Sequence, residues 1–186
     1  MTTRVLFVCT ANIVRSPIAA ALLERRLESS AADVVVESAG LREAERLIDD
    51  GALLALEAHG VDLRPHRSRH LDAAMVTPAT LILGLEREHV REAVLLDPSV
   101  WQRTFTLKEI VRRGEEAGVR QPGETIERWV ARVQAGRTRQ DLLGADPIDD
   151  VADPYGGPPG GYEDAAEEID DLVMRLVELI WPGGVR

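Results

Sequence analysis

The chain of 186 residues has one cysteine, Cys9, and one lysine, Lys108, the other 21 basic residues being arginine. A lone thiol excludes an internal disulfide and a cysteine cluster for a metal or a redox relay. Four histidines, scattered in sequence, add nothing to a metal site. Positive charge is also scarce, with a formal net of −10. That balance argues against general nucleic-acid binding, which needs a basic surface. No apolar stretch approaches the ~20 residues of a membrane span, and no signal peptide is read before the first strand. A cytoplasmic protein with no membrane partner and no cofactor is expected. Internal repeats and interdomain linkers are absent as well.

What remains is a chain of ordinary apolar content, 45%, long enough for one domain with a full core. Its chemistry is concentrated near the start. Val5-Leu6-Phe7-Val8 is a short, wholly apolar run, read as a strand buried on both faces of a parallel sheet. Ser16-Pro17 reads as a helix start, a hydroxyl cap followed by proline at the first helical position, with good helix formers from Ile18 to Leu27. Between them lie Cys9, Thr10, Ala11, Asn12, Ile13, Val14, Arg15 and Ser16. A loop from a strand's carboxyl end to a helix amino terminus turns N–H groups and the positive end of the helix dipole inward. It is an anion cradle.

Cys9 and Arg15 give that cradle its chemistry. Converging amides and a guanidinium favour the thiolate. Arg15 can grip two phosphate oxygens in fork geometry, leaving the Cys9 sulfur under the phosphorus for in-line attack. The plainer alternative, a buried structural cysteine at a strand end, is the commoner fate of a lone Cys. The strand before it and the Ser-Pro helix start after it favour the catalytic reading. Ser16 can also donate a hydroxyl hydrogen bond to the sulfur. Asn12 suits a left-handed mid-loop conformation.

Further along, Asp33–Glu37 reads as a second strand, Thr80–Leu83 as a third and Val94-Leu95-Leu96 as a fourth. Helices are expected at Ile48–His59, around Glu86–Glu92, at Thr106–Arg113, Glu124–Gln134 and Glu163–Trp181. The last has Ile169, Leu172, Val173, Leu176, Val177 and Ile180 on one face. Short strands alternating with helices imply a doubly wound α/β domain with a central parallel sheet of about four strands. Gly114 to Gly123 reads as a polar break between two helices.

VLFVCTANIVRSPIAAALL resembles the amino-terminal signature of the low-molecular-weight protein tyrosine phosphatases, V-C-x-x-N-x-x-R-S-P. Ser38-Ala39-Gly40, His66-Arg67-Ser68-Arg69 and Asp153-Pro154-Tyr155-Gly156 continue the match in the family's order. The resemblance implies a single domain over 1–186, with an insertion around 112–145. It also implies phosphomonoester hydrolysis through a phosphocysteine, acting on a phosphorylated protein or peptide and releasing inorganic phosphate. Asp153 would be the general acid, Tyr155 an aromatic wall, and Asn12, Ser38 and His66 a network holding the loop. Asp97-Pro98 and Asp146-Pro147 are the rival Asp-Pro pairs. Asp97 reads as a turn after a strand, and Asp146, with Asp149 and Asp150, as a solvated acidic surface. His59, His70 and His89 match no family role and are expected to be exposed.

Three departures bear on this resemblance. The second cysteine that many members carry before the loop arginine is Val14 here, so a protective disulfide is lost. Leu41–Asp50 contains no aromatic, leaving Tyr155 as the obvious stacking wall beside Ile13. The third is the insertion. A branch that removes phosphate from arginine is similar in Phe105–Glu109 and around Asp153, but is characterised by threonine where Ile13 stands. The apolar Ile13 suits an aryl ring, so phosphotyrosine is preferred over phosphoarginine. An arsenate reductase relying on an external thiol needs only Cys9, but has no use for Asp153. A phosphopeptide-binding protein would be expected to lose Cys9, Arg15 or Asp153.

Overall fold

The buried run near the start of the chain is the centre of β1 (Thr3–Cys9), whose last five residues are fully buried. β1 pairs in parallel with β2 (Val34–Gly40) on one side and with β3 (Leu81–Gly84) on the other. β4 (Thr104–Thr106) pairs with β3, giving the order β2-β1-β3-β4. The structure, a computed structural model, describes residues 2–28, 33–143, 147–158 and 160–183.

Strand alternation sends Val5 and Phe7 to one face of the sheet, and Leu6 and Val8 to the other. The first face is covered by α1 (Arg15–Leu27), α2 (Asp50–Glu57), α5 (Leu107–Ala117), α6 (Ile126–Gln134) and α7 (Gly161–Ile180). The second carries α3 (Ala73–Val76), α4 (Arg87–Leu96) and the 3-10 helix Pro98–Arg103. The result is the single doubly wound domain that the strand–helix alternation implies. All six apolar residues expected on one face of α7 are buried. Each contributes roughly 1.5–3 kcal/mol relative to exposure. Register places Cys9 beside Gly40, Val8 beside Gly84 and Gly84 beside Thr106. The carboxyl ends of all four strands therefore line one edge, where ligands bind in open parallel sheets.

The fourth strand is not Val94-Leu95-Leu96. Those residues are the last turn of α4, with Leu95 73% and Leu96 42% exposed. A capping box between Glu86 and His89 starts that helix, and its buried stripe runs through Val90 and Ala93. The apolar triplet is thus the outer side of a helix end. β4 is instead Thr-Phe-Thr, three buried residues whose hydroxyls hide their strand character in a hydropathy reading.

Gly114 does not break a helix either. α5 continues through it to Ala117, and the glycine serves packing, since a side chain there would meet Leu179 at 2.9 Å and Trp129 at 3.0 Å. The glycine admits the Trp129 ring, fully buried, and α5 ends where Gly118 takes a φ of 81°. Within residues 112–143, the described part of the expected insertion, lie the end of α5 and then α6, packed against α5.

Candidate active site

α1 begins two residues earlier than the Ser-Pro signal suggests. Its first residue is Arg15, its N-cap is Val14, and no side chain caps it. The Ser16 hydroxyl is therefore free for the cradle. Ser16 Oγ lies 2.9 Å from Cys9 Sγ and 3.2 Å from the Ala39 carbonyl, and accepts from Asn12 Nδ2 at 2.9 Å. Asn12 N–H points at Cys9 Sγ from 3.2 Å. One hydroxyl proton serves two acceptors, so Ser16 can donate to Ala39 beside a thiol and to the sulfur beside a thiolate.

Asn12 is buried with a φ of 54°, in the left-handed region that asparagine tolerates better than most residues. Each of its polar groups is engaged. Its side chain also donates to Ser38 Oγ (2.9 Å) and accepts from Arg69 N–H (2.8 Å), while its carbonyl accepts from His66 Nε2 at 2.8 Å. Burial holds the His66 imidazole below its ordinary pKa, with Arg69 and Arg67 pushing the same way against that hydrogen bond. The neutral ring, its proton on Nε2, fits the contact. Asn12, Ser16, Ser38 and His66 thus form one bonded set around the loop. Gly40 is part of the fit, since a Cβ there would meet Asn12 N at 2.7 Å.

Arg15 is 1% exposed, and both its terminal nitrogens are engaged inside the site. Nη1 is ion-paired with Glu86 and donates to the Val151 carbonyl at 2.8 Å. Nη2 reaches Asp153 Oδ2 at 2.8 Å and Thr10 Oγ1 at 3.4 Å. The guanidinium is thereby fixed at one end and presented to the cleft at the other. Asp153 is carried on a segment tied down before it. Val151 N–H donates to the Leu85 carbonyl at 2.8 Å, and Arg87 N–H to Asp150 at 2.8 Å.

Asp149 is 4% exposed and paired with Arg87 (2.9 Å) and Arg112 (3.0 Å). It is therefore an anchor for the segment that carries Asp153 and not a solvated surface residue. Asp146 lies outside the described residues. Asp97 ends α4 and caps the 3-10 helix through Ser99 N–H at 2.9 Å, remote from the cleft.

His89 is a correction. It is fully buried, where an exposed residue was expected. Its Nδ1 accepts from Glu86 N–H at 2.9 Å, which leaves the proton on Nε2, 3.1 Å from Thr10 Oγ1. Burial, with Arg15 nearby, lowers its pKa from 6.5 to about 3. Glu86 and His89 together hold Arg15 and Thr10, and neither was singled out from sequence. The signal was Glu-x-x-His opening a helix, a capping-box pattern with histidine in the glutamine position. His59 is partly buried, 3.8 Å from Asp170, and His70 is exposed.

These residues open into a cleft of about 740 Å³ with Cys9, Thr10, Ala11, Ile13, Val14 and Arg15 at its base. Asp153 and Tyr155 line it, as do Leu41, Arg42, Glu43, Arg46 and His70. An oxyanion here would meet a buried sulfur, loop amides and one fixed guanidinium. Among the described residues no cluster of potential ligands could hold a metal ion. No helix among them is long and apolar enough to cross a membrane.

The sequence model of low molecular weight phosphotyrosine protein phosphatases matches residues 4–135. The chain belongs to that family. Among curated phosphatases it is 33% identical to a protein-arginine-phosphatase from Geobacillus stearothermophilus, over 94% of each chain. It is 36% identical to the low molecular weight protein-tyrosine-phosphatase Etp of Escherichia coli K12, over 60% of this chain and 73% of Etp. The solved YwlE arginine phosphatase from Geobacillus stearothermophilus superposes with a TM-score of 0.69 at 32% identity, covering 95% of this chain and 91% of that one. The phosphatase family thus includes relatives named for two different phosphoresidues.

Proposed function

We propose that this phosphatase is a protein-tyrosine phosphatase working through a phosphocysteine, with Cys9 as nucleophile, Arg15 as oxyanion clamp and Asp153 as acid and base. The observation that carries the reading is the convergence of Cys9 Sγ, the cleft-facing Nη2 of Arg15 and the Asp153 carboxyl that it bonds on one cleft. Phosphate oxygens bind the loop amides and Arg15, taking the place of Asp153 at Nη2. The Cys9 thiolate attacks phosphorus, forming the S–P bond while the ester P–O bond breaks. Displaced from Arg15 by the phosphate, the exposed Asp153 carboxylate takes up a proton from solvent and gives it to the leaving oxygen as the P–O bond breaks. The resulting carboxylate then takes a proton from water, which attacks phosphorus and breaks the S–P bond. Ser16 stabilises the departing thiolate, and inorganic phosphate leaves. No cofactor enters, and a phosphoprotein in the cytoplasm is the proposed partner.

Apolar Ile13 at the base and the Tyr155 ring on the wall favour an aryl group over a guanidinium. Phosphoarginine is the second reading, favoured by the name of the relative that aligns over 94% of both chains. Turnover on matched phosphotyrosine, phosphoarginine and phosphoserine peptides decides between them, with arsenate plus a small thiol in parallel. Phosphotyrosine is expected to lead. Faster release from phosphoarginine reverses the substrate, and thiol-dependent arsenate reduction without ester hydrolysis removes the phosphatase reading.

A further inference from the structure

We propose that the cleft wall after β2 is a second recognition site, in which Arg42 and Arg46 take an acidic side chain next to the phosphorylated residue. The inference rests on the cleft receiving a phosphorylated protein, and it specifies which sequences around the phosphate are accepted.

The chain carries a net charge of −10, yet two arginines line the mouth of its cleft. Neighbouring arginines are already engaged. Arg69 bonds Glu37 and the Ser38 carbonyl, Arg64 pairs with Asp62, and Arg67 donates to the carbonyls of Arg64 and His66. The Arg42 and Arg46 side chains have no ion-pair partner among the described residues, and both residues are exposed. Their charge is available to a ligand.

The backbone beneath them is fixed relative to the nucleophile. Leu41 and Arg42 N–H both donate to the Thr10 carbonyl, at 2.8 and 3.0 Å. Buried Ser68 ties the far end, accepting from Arg46 N–H through Oγ at 3.0 Å and donating its own N–H to the Arg46 carbonyl at 2.9 Å. The wall therefore holds its shape against the phosphate loop, and only the two long side chains must settle on a ligand.

A phosphopeptide with acidic flanks is a polyanion approaching an acidic protein, and two local cations offset that repulsion. Glu43 sits on the same wall and opposes them, and Cys9, Arg15, His70, Asp153 and Tyr155 are the other titratable groups lining the cleft. The preference should therefore be modest, roughly two- to thirtyfold in kcat/KM for one or two partly solvated ion pairs. It should shrink as salt screens the contact.

The test compares kcat/KM for phosphotyrosine peptides of one length, flanked on both sides by Glu, Ala or Lys. The wild type should rank Glu above Ala above Lys, with the spread narrowing in high salt. Arg42→Ala with Arg46→Ala should compress the series, and Arg42→Glu with Arg46→Glu should invert it toward Lys. Both side chains are exposed, so unfolding midpoints should hold. A flat series in the wild type overturns the proposal, as does a series that survives both double variants or falls uniformly in them. Free phosphotyrosine has no flanks. Its turnover with a flat peptide series removes only this inference, whereas no turnover on any ester removes the parent reading.

Discussion

Arg15 and Asp153 are joined at 2.8 Å, a guanidinium 1% exposed against a carboxylate 41% exposed. The other end of the guanidinium is committed to Glu86 and the Val151 carbonyl. Asp153 therefore occupies the donor proposed to take a phosphate oxygen. On the proposed mechanism, binding of the phosphate and release of Asp153 from Arg15 become one exchange.

Asp153→Asn should cost about 10²–10⁴-fold on phosphotyrosine, the usual contribution of a general acid. An activated nitrophenyl ester should lose less in its first step, because its leaving oxygen needs little help. Inorganic phosphate should inhibit this variant as well as or better than the wild type, since a weaker competitor then faces Arg15. Asp97→Asn should leave every rate within a few-fold of wild type. Leaving-group-dependent loss in the Asp97 variant, with none in the Asp153 variant, would reverse the assignment.

Cys9→Ser should abolish turnover with the fold intact, because a neutral hydroxyl without an adjacent base is a poor nucleophile. Arg15→Lys should fail differently. A point charge cannot meet Glu86, Val151, Thr10 and Asp153 at once, and a buried acceptor left without a donor costs about 1–3 kcal/mol. Loss of turnover should therefore come with a lower urea midpoint, a drop absent from Cys9→Ser.

The sheet end of this site was legible in sequence, and its supports were not. Cys9 to Ser16 announces itself because strand, loop and helix signals follow within a few residues. The bonds from Asn12 to Ser38 and Arg69 span 26 and 57 residues, so only family resemblance pointed toward that network. Glu86, His89 and Asp149 carry charge or a titratable ring, and such residues are ordinarily exposed. Here guanidiniums and backbone N–H groups satisfy them, His89 and Asp149 in the interior and Glu86 half-buried at its edge. β4 was missed because three residues with two threonines give no apolar run, while the exposed end of α4 does.

His89 should make stability depend on pH. Burial, then Arg15, holds its folded-state pKa near 3, against 6.5 in the unfolded chain. Below about pH 6.5 the unfolded chain takes up a proton that the native ring refuses, so stability falls as pH drops. One such proton gives a slope of about 1.4 kcal/mol per pH unit, and His66, lowered as well, adds in the same direction. Urea midpoints at pH 7, 6 and 5 should show this decline. His89→Gln keeps an acceptor for the Glu86 N–H and should flatten it. An unchanged slope in that variant would mean that His89 titrates normally.

Oxidation should be a one-residue event. Cys9 is the sole thiol, and the loop position before Arg15 is Val14, itself buried. Peroxide acting on the Cys9 thiolate gives a sulfenic acid with no internal thiol to capture it. Further oxidation then proceeds to species that thiols do not reverse. Glutathione present during exposure should trap the first product as a mixed disulfide and preserve recoverable activity, whereas glutathione added late should not. Inorganic phosphate in the cradle should slow inactivation by covering the sulfur. Mass spectrometry of the Cys9 peptide distinguishes the oxoacids from the mixed disulfide. Rapid recovery after peroxide removal, with no thiol added, would show a protective route that one cysteine cannot supply.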